Sequence, residues 1–104
     1  MTKLERIVTQ LKESNLITDM VEFSTDWAER SRCWCGFTLH KKRDMSIDTT
    51  INVLINTRKR IKHYESKRRV TGFLADEALT TLNSIEKELS SYLLHEHKIA
   101  TLAE

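Results

Sequence analysis

The chain contains no proline and only two glycines, Gly36 and Gly72, in 104 residues. Tight turns, bulges and loop crossings rely on these two residue types. A β-sandwich or a loop-rich enzyme would need far more of such punctuation. What remains open to this chain is a set of long, uninterrupted helices. An apolar fraction of 39% against a charged fraction of 31% is a globular balance with a charge-rich surface, not the signature of disorder. The length predicts a single domain, with residues 1–45 forming an N-terminal helix and strand region and residues 46–104 a helical hairpin.

The pattern of apolar residues places the elements. Leu4, Ile7, Val8 and Leu11 recur at helical spacing and predict an amphipathic helix over 2–14, capped by Thr2 and stopped at Asn15. In RCWCGFTLH, residues 32–40, Cys33, Cys35, Phe37 and Leu39 alternate with Arg32, Trp34, Thr38 and His40. That period of two predicts a half-buried strand. Residues 18–31 fit either a partner strand or a short helix, since Met20, Phe23 and Trp27 keep helical spacing. From Ser46, a capping residue, Ile47, Ile51, Leu54, Ile55 and Ile61 form one helical stripe, with Asp48 favourably placed in the first turn. Gly72 is the expected C′ stop, with Phe73 packing back on the last turn. A final helix over about 74–102 carries Leu82, Ile85, Leu89, Tyr92, Leu93 and Ile99. The expected fold is therefore mainly α, α+β in detail, ending in a long antiparallel helical hairpin. A turn at Gly72 makes facing positions sum to roughly 145, which predicts an Arg58–Glu86 pair across the hairpin.

Charge is polarised along the chain. Residues 1–40 hold five Lys/Arg and six Asp/Glu (net −1), residues 41–69 ten and three (net +7), and residues 70–104 two and six (net −4). The densest run is NTRKRIKHYESKRR, residues 56–69. Lys59, Arg60, Lys67 and Arg68 are expected to point away from the apolar stripe, and His63, beside Tyr64, could stack on a base. No helix-turn-helix, ribonucleoprotein or zinc-finger signature surrounds the run. A docking surface for another protein and a solvated face compete with nucleic-acid binding as its explanation. In the strand reading Trp34 faces outward beside Arg32, which has the character of a binding hot spot, unless the N-terminal helix covers it.

Other chemistry is weakly signalled. Cys33, Cys35, His95 and His97, with His40 as a substitute, have the ligand types of a structural zinc site. The C-x-C spacing is tighter than usual, and two histidines two apart on a helix diverge by about 200°. Two buried, reduced cysteines are the simpler expectation. No nucleophile–base spacing, phosphate loop or facing carboxylate pair argues for an enzyme, and no cofactor is implied. The mixed charge of the first helix (Lys3, Glu5, Lys12, Glu13) predicts packing on the hairpin, not on a membrane. The lack of a secretory h-region and the two closely spaced cysteines predict a reducing, cytoplasmic setting. Leu94 and Leu102 are spare apolar positions through which the hairpin could homodimerise.

These features lead to an expected function. The chain should be a non-catalytic interaction protein, in the style of small phage or plasmid accessory proteins. It should bind a larger protein or nucleoprotein assembly of a host that acts on nucleic acid, and modulate or inhibit it. The contact surface would comprise Lys59, Arg60, His63, Lys67, Arg68, Trp34 and Arg32. Direct DNA or RNA binding by the helix at 58–69 is the alternative, and a small structural zinc domain the third reading.

Overall fold

The computed structural model describes the backbone of residues 2–71 and 73–99, with side chains for all of these except 68–71 and 73–75. The described residues are mainly helical, and no strand occurs among them. Helix α1 is Lys3–Glu13, α2 is Met20–Glu22 running directly into a π-helical turn at Phe23–Trp27, and α3 is Trp34–His40. Helices α4 (Ile47–Thr71) and α5 (Phe73–His97) have 25 residues each. At about 1.5 Å per residue each is some 37 Å long, matching the 41 Å long dimension of the molecule.

The capping chemistry follows the sequence closely. Thr2 Oγ1 accepts from Glu5 N–H at 3.1 Å, and Ser46 Oγ from Thr49 N–H at 3.2 Å. Helix α1 ends in a Schellman motif. Asn15 takes a positive φ of 58°, Leu16 N–H bonds to Leu11 O at 2.8 Å, and Asn15 N–H bonds to Lys12 O at 3.1 Å. Helix α3 ends the same way on Lys42, with φ 56° and bonds from Arg43 to Thr38 and from Lys42 to Leu39, both 3.0 Å. The roles expected of Gly72 and Phe73, and the free position at Leu102, lie outside the described residues. Helix α5 stops at His97, short of 102, where Lys98 turns to φ 55°.

The strand expected over 32–40 is instead helix α3. Wound at 3.6 residues per turn, Trp34, Cys35, Thr38 and Leu39 share the inner face, with Cys35 and Thr38 buried. Phe37, inward in a strand, is 61% exposed. A strand needs a ladder partner for its backbone groups. The helix instead satisfies them internally, and its first turn is anchored by Ser24 Oγ, which accepts from Cys35 N–H at 2.9 Å. Residues 18–31 resolve as the short-helix alternative. Asp19 caps α2, accepting from Glu22 N–H at 2.9 Å, and the π-turn buries Phe23 and Trp27.

One core joins the layers. Leu4, Ile7 and Leu11 of α1 meet Phe23 and Trp27, Val53 and Leu54 of α4, and Leu82, Ile85, Leu89 and Leu93 of α5. The stripe on α4 departs from the expectation, because Ile47 and Ile55 are 38% and 45% exposed while Thr49, Thr50, Asn56 and Thr57 are buried. The buried threonines are not orphaned. Thr50 Oγ1 donates to Ser46 O at 2.8 Å and Thr57 Oγ1 to Val53 O at 2.7 Å. Among the described residues no helix is long and apolar enough to cross a membrane.

Candidate functional site: the outer edge of α4

The basic run is divided by the helix that carries it. Lys59, Lys62, His63 and Lys67 occupy exposed positions of α4. The Arg68 side chain lies outside the described residues. Arg60, expected to point outward, turns inward instead. Its guanidinium lies over the Trp27 ring at 4.0 Å from the centroid, and Nη1 donates to Asn56 O at 3.3 Å. Burial lowers the Arg60 pKa from its ordinary value, against the opposing pull of Asp26, Glu22 and Tyr64. The guanidinium thus belongs to the packing between α4 and the π-turn.

Trp34 is also part of that packing. It is half-buried and stacked on Phe23, centroids 6.4 Å apart, and Phe23 stacks on Trp27 at 6.2 Å. Trp34, Phe23, Trp27 and Arg60 thereby form a continuous stack between α3 and α4. The outward placement of Trp34 followed from the strand period and falls with it. Arg32 is exposed in the turn before α3. His63 packs edge-on against the half-buried Tyr64, centroids 5.5 Å apart.

The Arg58–Glu86 pair is present. Arg58 Nη2 donates to Glu86 Oε1 at 2.9 Å and Nε donates to the same oxygen at 3.2 Å. Beside it a groove of about 360 Å³ runs between α4 and α5, lined by Ile55, Ile61, Lys59, Lys62, Glu65 and Asn83 together with the pair itself. This groove and the exposed Ile47 and Ile55 escaped the sequence reading. The signal that could have found them is the run of threonines on the other side of α4, whose hydroxyls can be silenced by the helix's own carbonyls.

The candidate zinc ligands do not converge. Cys33 is exposed and Cys35 buried, both as free thiols. Desolvation pushes the Cys35 thiol up to about 11, only partly opposed by Lys12, so it is protonated at neutral pH and a poor ligand or nucleophile. His40 and His95 are exposed, while His97 bonds to the Tyr92 hydroxyl at 2.8 Å. No group of three or more His, Cys, Asp or Glu side chains able to hold a metal occurs among the described residues.

At the far side of the fold Asp44 ties the chain to the start of α1. It pairs with Lys3 Nζ at 2.8 Å and accepts from Leu4 N–H at 3.1 Å. Burial would raise the Asp44 pKa, but Lys3 and the Met45 and Leu4 amides outweigh it and hold it below its ordinary value.

No curated protein and no solved structure matches the chain. Its sequence from residue 4 to 101 fits the profile of one family, so the chain belongs to DUF6626, a family of unknown function.

Proposed function

We propose that the protein is a non-catalytic docking module. In this reading it binds an anionic surface on a larger assembly that handles nucleic acid, and modulates that assembly. The single observation carrying the reading is the exposed cationic edge of α4, with Lys59, Lys62, His63 and Lys67 within three turns of one helix. The exposed Lys41, Lys42 and Arg43 add to the same charge excess. Clustered cations raise the encounter rate with anionic partners and fix their register more than they add raw affinity. Glu65 within the edge and the apolar Ile55 beside it suit a protein surface better than a bare phosphate backbone.

The second reading is direct phosphate binding by the same edge, favoured by the density of cations and by His63. Salt separates the two. With the tagged full chain as bait in a cell extract, a protein docked by this edge is retained after nuclease treatment and at moderate salt. The Lys62→Glu/Lys67→Glu variant should then lose it while keeping its helicity. Direct binding would appear instead as affinity for labelled duplex DNA. If three phosphates are neutralised, the log–log salt slope would be roughly −2.7. Retention of the same partner by the double variant would overturn the assignment of this edge.

A further inference from the structure

We infer that a second copy of this chain docks antiparallel on the open face of the helical hairpin, α4 against α4. This inference does not rest on the anionic partner: it uses the first half of α4 as far as Lys59, the one residue it shares with the cationic edge, and neither Lys62 nor Lys67.

The hairpin has two faces and an edge already in use. Helix α1 lies along α5 through Arg6–Glu88 at 2.6 Å, Ser14–Thr81 at 2.7 Å and Lys3 over the Tyr92 ring at 3.7 Å. The π-turn and the residues after it hold α4 through Asn52 to Ala28 O at 3.2 Å, Asn56 to Trp27 O at 2.9 Å, and Arg60. The opposite face is open, and the groove runs along it. Ile47 and Ile55 are exposed there and Ile51 half-buried. On α5 Leu94 is 47% exposed, and the Arg58–Glu86 register, 58 + 86 = 144, places it level with residue 50 of α4. A row of apolar residues left uncovered by their own chain marks an interaction surface.

The charges on this face indicate what covers it. Asp48 and Lys59 are both exposed, and neither has an ion-pair partner among the described residues. They are eleven residues apart, so they project within about 20° of each other on one flank of the isoleucine row. When two identical helices pack antiparallel about a two-fold axis, residues on the same flank face each other across the seam. An axis near residue 53 sets Ile51 opposite Ile55 of the other copy, since 51 + 55 = 106. The same axis brings Asp48 against Lys59 of the other copy, since 48 + 59 = 107, and the symmetry repeats both contacts. The face is complementary to itself in shape of pattern and in sign of charge. A nucleic acid would leave the isoleucines uncovered and be repelled by Asp48.

Sedimentation equilibrium of the full chain over a hundredfold range of concentration tests this. The expected species at the upper end has twice the 12.2 kDa chain mass. Ile55→Glu should leave it monomeric with unchanged circular dichroism. Lys59→Asp alone should weaken association about tenfold, by setting two acidic pairs across the seam. Combining it with Asp48→Lys should restore association to near the parent value. Asp48→Lys also opposes the α4 dipole, so each variant's thermal midpoint is measured beside its mass. Lys59→Asp carries the test if Asp48→Lys destabilises the fold. A chain that stays monomeric throughout overturns the inference. So does a dimer indifferent to both Ile55→Glu and Lys59→Asp, because it would use another surface.

Discussion

Arg60 and Lys59 are neighbours in sequence with opposite duties. The guanidinium of Arg60 covers Trp27 and closes the aromatic stack, while Lys59, about 100° round the helix, is exposed. Arg60→Ala removes a partly desolvated cation–π contact and the packing of its stem, and should cost about 1–2 kcal/mol in urea unfolding. Lys59→Ala should stay within about 0.5 kcal/mol. The cysteines divide in the same manner. With Cys35 buried and its thiol pushed up to about 11, a maleimide should modify Cys33 alone in the folded protein and both only after denaturation. Equal labelling rates would refute the inner face of α3. For Asp44 the sign follows from its depressed pKa. The folded state favours the ionised form, so its contribution is present above the unfolded value of about 4 and is lost as pH falls through the lower folded value. The gap in urea midpoint between the parent and Asp44→Asn should therefore be constant near neutrality and close below about pH 4.

Individual elements differ in how plainly the sequence announces them. Helix ends are local chemistry, and Thr2, Asn15 and Ser46 act where the sequence places them. The hairpin register is almost as local, because a short connection leaves little freedom, and Arg58 meets Glu86 as expected. Residues 32–40 were opaque for a physical reason. These nine residues satisfy a period of two and a period of 3.6 alike, and the choice is made by Ser24, from eleven residues upstream of Cys35. The α4 stripe misled because buried threonines look polar in sequence but carry no unmet hydrogen bond in a helix. The register itself can be tested energetically. Both side chains of the Arg58–Glu86 pair are about a quarter exposed, so solvent screening keeps their coupling near 0.5–1 kcal/mol. A double-mutant cycle with Arg58→Ala and Glu86→Ala should return that coupling, and a value of zero would mean the contact contributes nothing to pairing α4 with α5.

For the molecule as a whole, the N-terminal segment and the hairpin are expected to fold as one unit. The hairpin is long and α1 is short, so a chain built this way could melt its N-terminal region first. Three features argue against that. Asn52 and Asn56 of α4 hold the end of the π-turn and the residue after it, at Ala28 O and Trp27 O. Leu4, Ile7 and Leu11 belong to the same buried cluster as Leu82, Ile85 and Leu89. Asp44, just before α4, ties down the start of α1 through Lys3 and Leu4 N–H. Releasing the N-terminal region would expose buried apolar surface of both long helices to water, at about 25 cal/mol for each Å² uncovered. Both tryptophans, Trp27 and Trp34, lie in the N-terminal region, whereas most helical residues lie in α4 and α5. Tryptophan fluorescence and far-ultraviolet circular dichroism therefore report on different parts of the same molecule. Their urea transitions should coincide in midpoint and slope, and Leu89→Ala in the hairpin should move both together by about 2–5 kcal/mol. If the fluorescence transition came first, or Leu89→Ala moved only the dichroism, the side-chain anchors to α4 would be too weak to couple the two regions. The stack beneath Arg60 would then open while the hairpin persisted.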